Sequence, residues 1–384
     1  MPEELPVFVP ATGIHTLKAV ADALDIGWLG MGAFTKEFET RLEAYLGLTD
    51  RHVLTTNTGT SALHIAFAVA GIQAGDEVII PSFNFVADHQ ALTALGATPV
   101  FCDIRQSDLG IDVARAEELI TERTRAIVPL HFGGVPCDID GVYALAERHH
   151  LRVIEDATHA LGSRHRGAPI GSFGDLACFS FDAVKIITSI DGGAVVCNNL
   201  DELTRLHHLR LLGIDKDTTE RYKNQRAWEY DVVGPGYRYH LTNINASIGL
   251  SQLARIDGFI ASRQATCRLY NAAFANLEGI TPPATDFTDV SPFIYVIRVR
   301  ADWRMDLIAH LRARGVATGI HFLPAHRFSF YASAPHGPLP VTEQVVEEVV
   351  TLPLHSHMPR ELAQRVIDGV TDFVQQRQRQ RRAA

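Results

Sequence analysis

The sequence has little cysteine, no export signal and no surplus of positive charge. Its five cysteines (Cys102, Cys137, Cys178, Cys197 and Cys267) are odd in number and scattered over 384 residues, with no CxxC pair. That excludes a disulfide framework or a zinc ribbon and fits free thiols in a reducing cytoplasm. The opening MPEELPVFVP carries two acidic residues where a secretory leader carries positive charge. A membrane span is missing too, because the longest charge-free stretch, 53–75, contains TTNTGTS and a histidine. The 18 histidines form no HExxH or other ligand spacing, so no metal is expected. A net charge of −9 argues against a nucleic-acid polymer as partner. The arginine-rich end, QQRQRQRRAA, reads as a solvated tail.

Hydrophobic residues make up 46% of the chain, enough for a large core, and the length suits two domains at about 150 residues or more each. Between residues 50 and 200, short β-rich runs alternate with helical patterns, which predicts an α/β fold with one seven-stranded, mostly parallel sheet flanked by helices. The strand candidates are HVLTT (52–56), EVIIP (77–81), TPVFCD (98–103), AIVPLH (126–131), RVIED (152–156), LACFSF (176–181) and AVVCN (194–198). From about residue 245 a long helical pattern leads into a smaller α+β unit with a strand at 293–300 and a final helix. The expected division is a large domain over 1–250 and a smaller C-terminal domain over 251–384.

Three places could carry chemistry. NTGTS (57–61) follows a strand and opens a helix, where free N–H groups and the helix dipole favour a phosphate, although a plain helix cap would use the same residues. Asp156 ends a strand, and ligands of open α/β sheets sit beyond strand ends. A carboxylate there is also a common cap. Lys185 lies in the apolar segment CFSFDAVKIITSIDGG (178–193), where desolvation lowers an amine pKa and makes it a nucleophile for carbonyls. Together the three match pyridoxal phosphate (PLP), whose phosphate needs a helix N-terminus, its ring nitrogen a carboxylate and its aldehyde a lysine. A nicotinamide enzyme would need a GxGxxG turn, which NTGTS does not supply.

The chain resembles the DegT/DnrJ/EryC1/StrS family of PLP-dependent sugar aminotransferases, of fold type I, through GWLGMGAFTKEFE (27–39), NTGTSALHIAF (57–67), GDEVIIPSFNFVA (75–87), EDATHALGS (155–163), FGDLACFSFDAVKIITSIDGGAVV (173–196), NINASIGLSQL (243–253) and GIHFLPAH (319–326). The resemblance implies that Lys185 carries the cofactor as a Schiff base and moves the proton, and that Asp156 meets the ring nitrogen. It also makes Gly59, Thr60, Ser61 and Ser180 phosphate ligands, stacks Phe85 on the ring and puts His159 near the phenolic oxygen. His321, His326 and Tyr331 are implied as acceptor contacts. Two departures stand out. GYRYHL (236–241) replaces the family's GYNYRM-like stretch and puts Arg238 where an asparagine usually reaches a cofactor phosphate across a homodimer. Gly133 replaces a tyrosine.

The implied activity is ping-pong transfer of an amino group from glutamate or glutamine to a keto-sugar, nucleotide-linked or otherwise activated, in polysaccharide or antibiotic biosynthesis. The alternatives are a sugar dehydratase, whose relatives carry histidine in place of the lysine, and a non-catalytic regulator on the same fold.

Overall fold

The computed structural model describes residues 4–215 and 229–383. Its main sheet has seven strands: β1 (His52–Thr56), β2 (Glu77–Pro81), β3 (Thr98–Cys102), β4 (Thr124–Ile127), β5 (Arg152–Asp156), β8 (Leu176–Ser180) and β9 (Gly193–Cys197). The small hairpin β6 (Arg164–His165) and β7 (Ala168–Pro169) stands apart from it. Across the sheet the order is β1-β9-β8-β5-β4-β2-β3. Only β9 is antiparallel to its neighbours; the other pairs are parallel. All seven expected strands are therefore present in one mostly parallel sheet. β2, β8 and β9 are buried along their whole length, which is why they read as continuous apolar runs.

Helices cover both faces. α1 (Ile14–Asp25) and α2 (Ala33–Leu46) precede the sheet, while α3 (Gly59–Val69), α4 (Ala87–Ala94), α5 (Val113–Glu118) and α6 (Ile139–His149) connect its strands. α7 (Leu200–Arg210) follows β9. The long pattern after residue 243 is two helices, α8 (Asn243–Leu253) and α9 (Ile256–Phe274), broken where Arg255 leaves helical geometry at φ −121°, ψ 4°.

The last third of the chain builds a three-stranded antiparallel sheet from β10 (Ile280–Thr281), β11 (Tyr295–Val299) and β12 (Val349–Leu352), with α10 (Arg304–Ala313) and the C-terminal α12 (Arg360–Ala383) packed together beside it. β12 follows α11 (Pro340–Glu348) without a turn, so VVEEVVTL switches from helix to strand inside one apolar pattern. All five cysteines are buried free thiols. No described helix is long and apolar enough to cross a membrane.

Candidate active site

The parallel strands deliver their carboxyl ends to one edge of the sheet, and a cavity of about 330 Å³ opens there. Its walls come from segments far apart in sequence: the β1–α3 turn, the β2–α4 loop, the end of β5, the β8–β9 loop, and Phe293, His321 and Phe322 from the C-terminal third.

One end is made by the start of α3. Thr58 is the N-cap, and its hydroxyl accepts from the Ser61 N–H at 2.9 Å. The next two N–H groups, of Gly59 and Thr60, have no intrahelical acceptor and carry the positive end of the helix dipole. Ser180 lies against them so closely that a Cβ on Gly59 would stand 2.8 Å from the Ser180 Cβ. Gly193, opening β9, is equally constrained, since its Cβ would meet the Thr58 carbonyl oxygen at 2.3 Å. This is a backbone cradle that side chains at 59 or 193 would fill. Ser61 is spent within the cap, its hydroxyl 2.7 Å from both Asn57 Oδ1 and the Thr58 hydroxyl, and it does not line the cavity.

The other end is acidic. Asp156, buried at the end of β5, accepts from the Thr158 N–H at 3.0 Å and from Asn84 Nδ2 at 3.1 Å. The preceding residue, Glu155, is held instead by His131 at 2.8 Å and the Tyr143 hydroxyl at 2.6 Å. Asn84 Nδ2 also donates to Asp88 at 3.0 Å, so one amide nitrogen bridges the two carboxyl groups. Burial first, and then the Asp156 charge, push the Asp88 carboxyl well above the usual carboxylate range.

Between the ends sits Lys185, with Nζ 4.2 Å from the centre of the Phe293 ring. Burial pulls its amine down from 10.5 to about 8, against the opposing influence of Asp156, Asp182 and Asp88. His159 lies on Phe293 with ring centres 4.4 Å apart, and its Nδ1 accepts from the Gly133 N–H at 3.4 Å. That contact makes Nε2 the protonated nitrogen. Burial, reinforced by the Lys185 charge, keeps the His159 imidazole uncharged, and the same two causes bring His321 down to about 4. His321 Nδ1 is 2.8 Å from the Thr351 hydroxyl. Phe85 is 55% exposed at the mouth, 5.8 Å from the Phe322 ring.

Of the residues anticipated from sequence, Gly59, Thr60, Phe85, Asp156, His159, Ser180, Lys185 and His321 line this one cavity. Arg238, His326 and Tyr331 do not. Arg238 is exposed on the strip beside α7, bridged to Leu211. His326 is held by Ser82 at 2.7 Å and by Glu343. Tyr331 is buried with its hydroxyl 3.0 Å from Gln90 and from Thr93. Thr58, Asn84 and Asp88 were not anticipated. The only signal for the last two is a four-residue spacing, with Asn84 in the loop before α4 and Asp88 in its first turn.

The cavity therefore holds a backbone anion cradle, a desolvated amine and a buried carboxylate, in a mostly parallel α/β fold. A sequence model of the DegT/DnrJ/EryC1/StrS aminotransferase family matches residues 11–371. An uncharacterized protein of Methanocaldococcus jannaschii is 35% identical over 378 residues, covering 96% of this chain and 97% of that one. The aminotransferase TlmJ from Streptoalloteichus hindustanus superimposes with a TM-score of 0.89 at 32% identity, covering 97% of this chain and 99% of its own. Spr1654 from Streptococcus pneumoniae, described as a candidate sugar aminotransferase, has been solved in PMP-form and PLP-form. In the PMP-form it matches with a TM-score of 0.90 at 30% identity over 97% of this chain and 99% of its own. The chain belongs to the DegT/DnrJ/EryC1/StrS aminotransferase family.

Proposed function

We propose that this enzyme uses pyridoxal phosphate to move an amino group from glutamate or glutamine to the carbonyl carbon of an activated keto-sugar, by a ping-pong sequence. The observation that carries the reading is the placement of Lys185 between a helix-N-terminal cradle and a buried carboxylate in one cavity. The cofactor fits this donor set: Gly59, Thr60 and Ser180 would hold its phosphate, Asp156 its ring nitrogen, and Lys185 its aldehyde carbon. When bound, it supplies an electron sink for the carbanion formed on the substrate.

The protein's own groups do the rest. Lys185 would hold the cofactor's aldehyde carbon and, once its amine is free, would be the base that takes the proton from the donor's α-carbon. Its lowered pKa leaves a useful fraction of free amine near neutral pH. Asp156, fixed by Asn84 and the Thr158 N–H, would face the ring nitrogen. His159, held neutral, would offer its Nε2–H as a donor to the cofactor's phenolic oxygen. Phe293 and Phe322 exclude water around the amine, and Phe85 and His321 border the space left for the acceptor.

The working unit in this reading is a homodimer. Ile14 and Leu17 on α1 are 73% and 67% exposed, and Leu24 and Ile26 continue the apolar surface, which suits cover by a second copy. Arg238, exposed and outside its own cavity, would then be free to reach the cofactor phosphate of that copy.

The test is to load the protein as the pyridoxamine form and present a panel of keto-sugars, with and without a nucleotide, while following return of the aldehyde-form absorbance. Return with at least one keto-sugar and not with simple 2-oxo acids other than the donor's product supports the assignment. A protein that takes up no cofactor, or exchanges only between amino acids, overturns it.

A further inference from the structure

Two carboxyl groups, Asp156 and Asp88, are 2% and 1% exposed and meet at the acidic end of the cavity. They come from different elements, the end of β5 and the first turn of α4. Asn84 binds them into one unit. Its Oδ1 accepts from the Phe85 N–H at 2.6 Å, which fixes the amide so that Nδ2 faces the acids, 3.0 Å from Asp88 and 3.1 Å from Asp156.

Two buried carboxylates that share one amide nitrogen cannot both stay ionised, because each destabilises the other's charge and neither has water to disperse it. The groups influencing Asp88 from neighbouring elements decide which one keeps the proton. Lys185, from the β8–β9 loop, brings a single positive charge. Cys178, from β8, brings a thiol that burial and the two acids keep protonated. His89, next on α4, stays neutral through burial while its Nε2 lies 3.1 Å from the Pro81 carbonyl. Asp156 accepts the Thr158 N–H and Asp88 its own N–H, so the difference lies with Lys185, on which Asp156 acts more strongly than Asp88.

We propose that Asp88 is a positioning residue for Asp156: it remains a neutral acid and donates its proton to the Asp156 carboxylate, so that Asp156 is held ionised and in one orientation. A carboxylate that already accepts hydrogen bonds is a weaker base, so a proton shared with a ring nitrogen stays on the nitrogen. This last consequence rests on the pyridoxal-phosphate reading; the shared proton does not.

The experiment has two arms. In the cofactor-free protein, infrared spectra with 13C-labelled aspartate should show the carbonyl band of a buried protonated carboxyl at neutral pH, absent in Asp88→Asn. No such band in the wild-type protein overturns the proposal, whichever cofactor the enzyme uses. In the second arm, pyridoxal phosphate is titrated into the wild type, Asp88→Asn and Asp88→Ala. An asparagine can still donate to Asp156 and should keep wild-type affinity. Alanine cannot, and should weaken binding by about tenfold or more, the scale of a lost hydrogen bond to a charged group. Wild-type affinity in Asp88→Ala overturns the positioning role, and so does an equal loss in both variants. If the wild type itself binds no pyridoxal phosphate, the cofactor reading falls while the infrared band still decides the acid pair.

Discussion

The two ends of the cavity are built on opposite plans. The cradle end is local: Thr58, Gly59 and Thr60 are consecutive, and a strand, a cap and the first helical turn are enough to aim their N–H groups. Ser180 and Gly193, at the end of β8 and the start of β9, add the close packing that leaves no room for a side chain, and Ser180 adds a hydroxyl to the lining. The acidic end is assembled from a distance. Asn84 and Asp156 are 72 residues apart, and neither their contact nor the pairing with Asp88 exists until β2 and β5 share a sheet. Backbone chemistry can thus be specified by a short motif, whereas a charged side-chain cluster depends on the whole sheet being in register.

Lys185 joins the two ends, so its removal should have the largest effect. Lys185→Ala should lower amino-transfer turnover by about a thousandfold or more while leaving the circular-dichroism spectrum unchanged. Asp156→Ala should separate the ends: the cradle would still capture cofactor, with turnover reduced by about a hundredfold or more. If Asp156→Ala lost cofactor and turnover in equal measure, the division of labour would be wrong.

The pH dependence sharpens the same contrast. The free amine of Lys185 is the reactive form, so cofactor capture by the apoprotein should speed up as pH rises and level off above about 8. His159 and His321 remain uncharged over that range and should add no second step. Stopped-flow absorbance at a series of pH values reads this directly.

Smaller effects belong to the cradle. Gly59→Ala forces a Cβ against Ser180 and should cost about 1–3 kcal/mol in stability, together with a clear loss of cofactor affinity. Thr58→Ala removes the cap on α3 and should cost about 1 kcal/mol by denaturant titration, with little change at the acidic end.

The same contrast explains what could be read from the sequence. Alternation and apolar runs delivered all seven strands of the main sheet, and NTGTS, Asp156 and Lys185 were legible because each combines a local pattern with a strand end. β12 was hidden, since VVEEVVTL has an apolar pattern that suits helix and strand alike until packing chooses. Asn84 and Asp88 were hidden because a polar pair four residues apart around the entry to a helix is ordinary; only the fold brings Asp156 to it. Ser61, His326 and Tyr331 show the reverse case. Each is a polar residue in a suggestive segment, yet none lines the cavity: Ser61 is tied into the cap of α3, and His326 and Tyr331 are tied to neighbours outside the lining. Arg238 lies on the surface, outside the cavity.

The central claim is that Lys185 is the amine that carries the cofactor. Loading the protein with pyridoxal phosphate, reducing it with borohydride and mapping the modified peptide tests this with one measurement. The account predicts a single modified lysine, Lys185, in the segment 178–193. Modification at another lysine, or no covalent adduct in a protein saturated with cofactor, would contradict it.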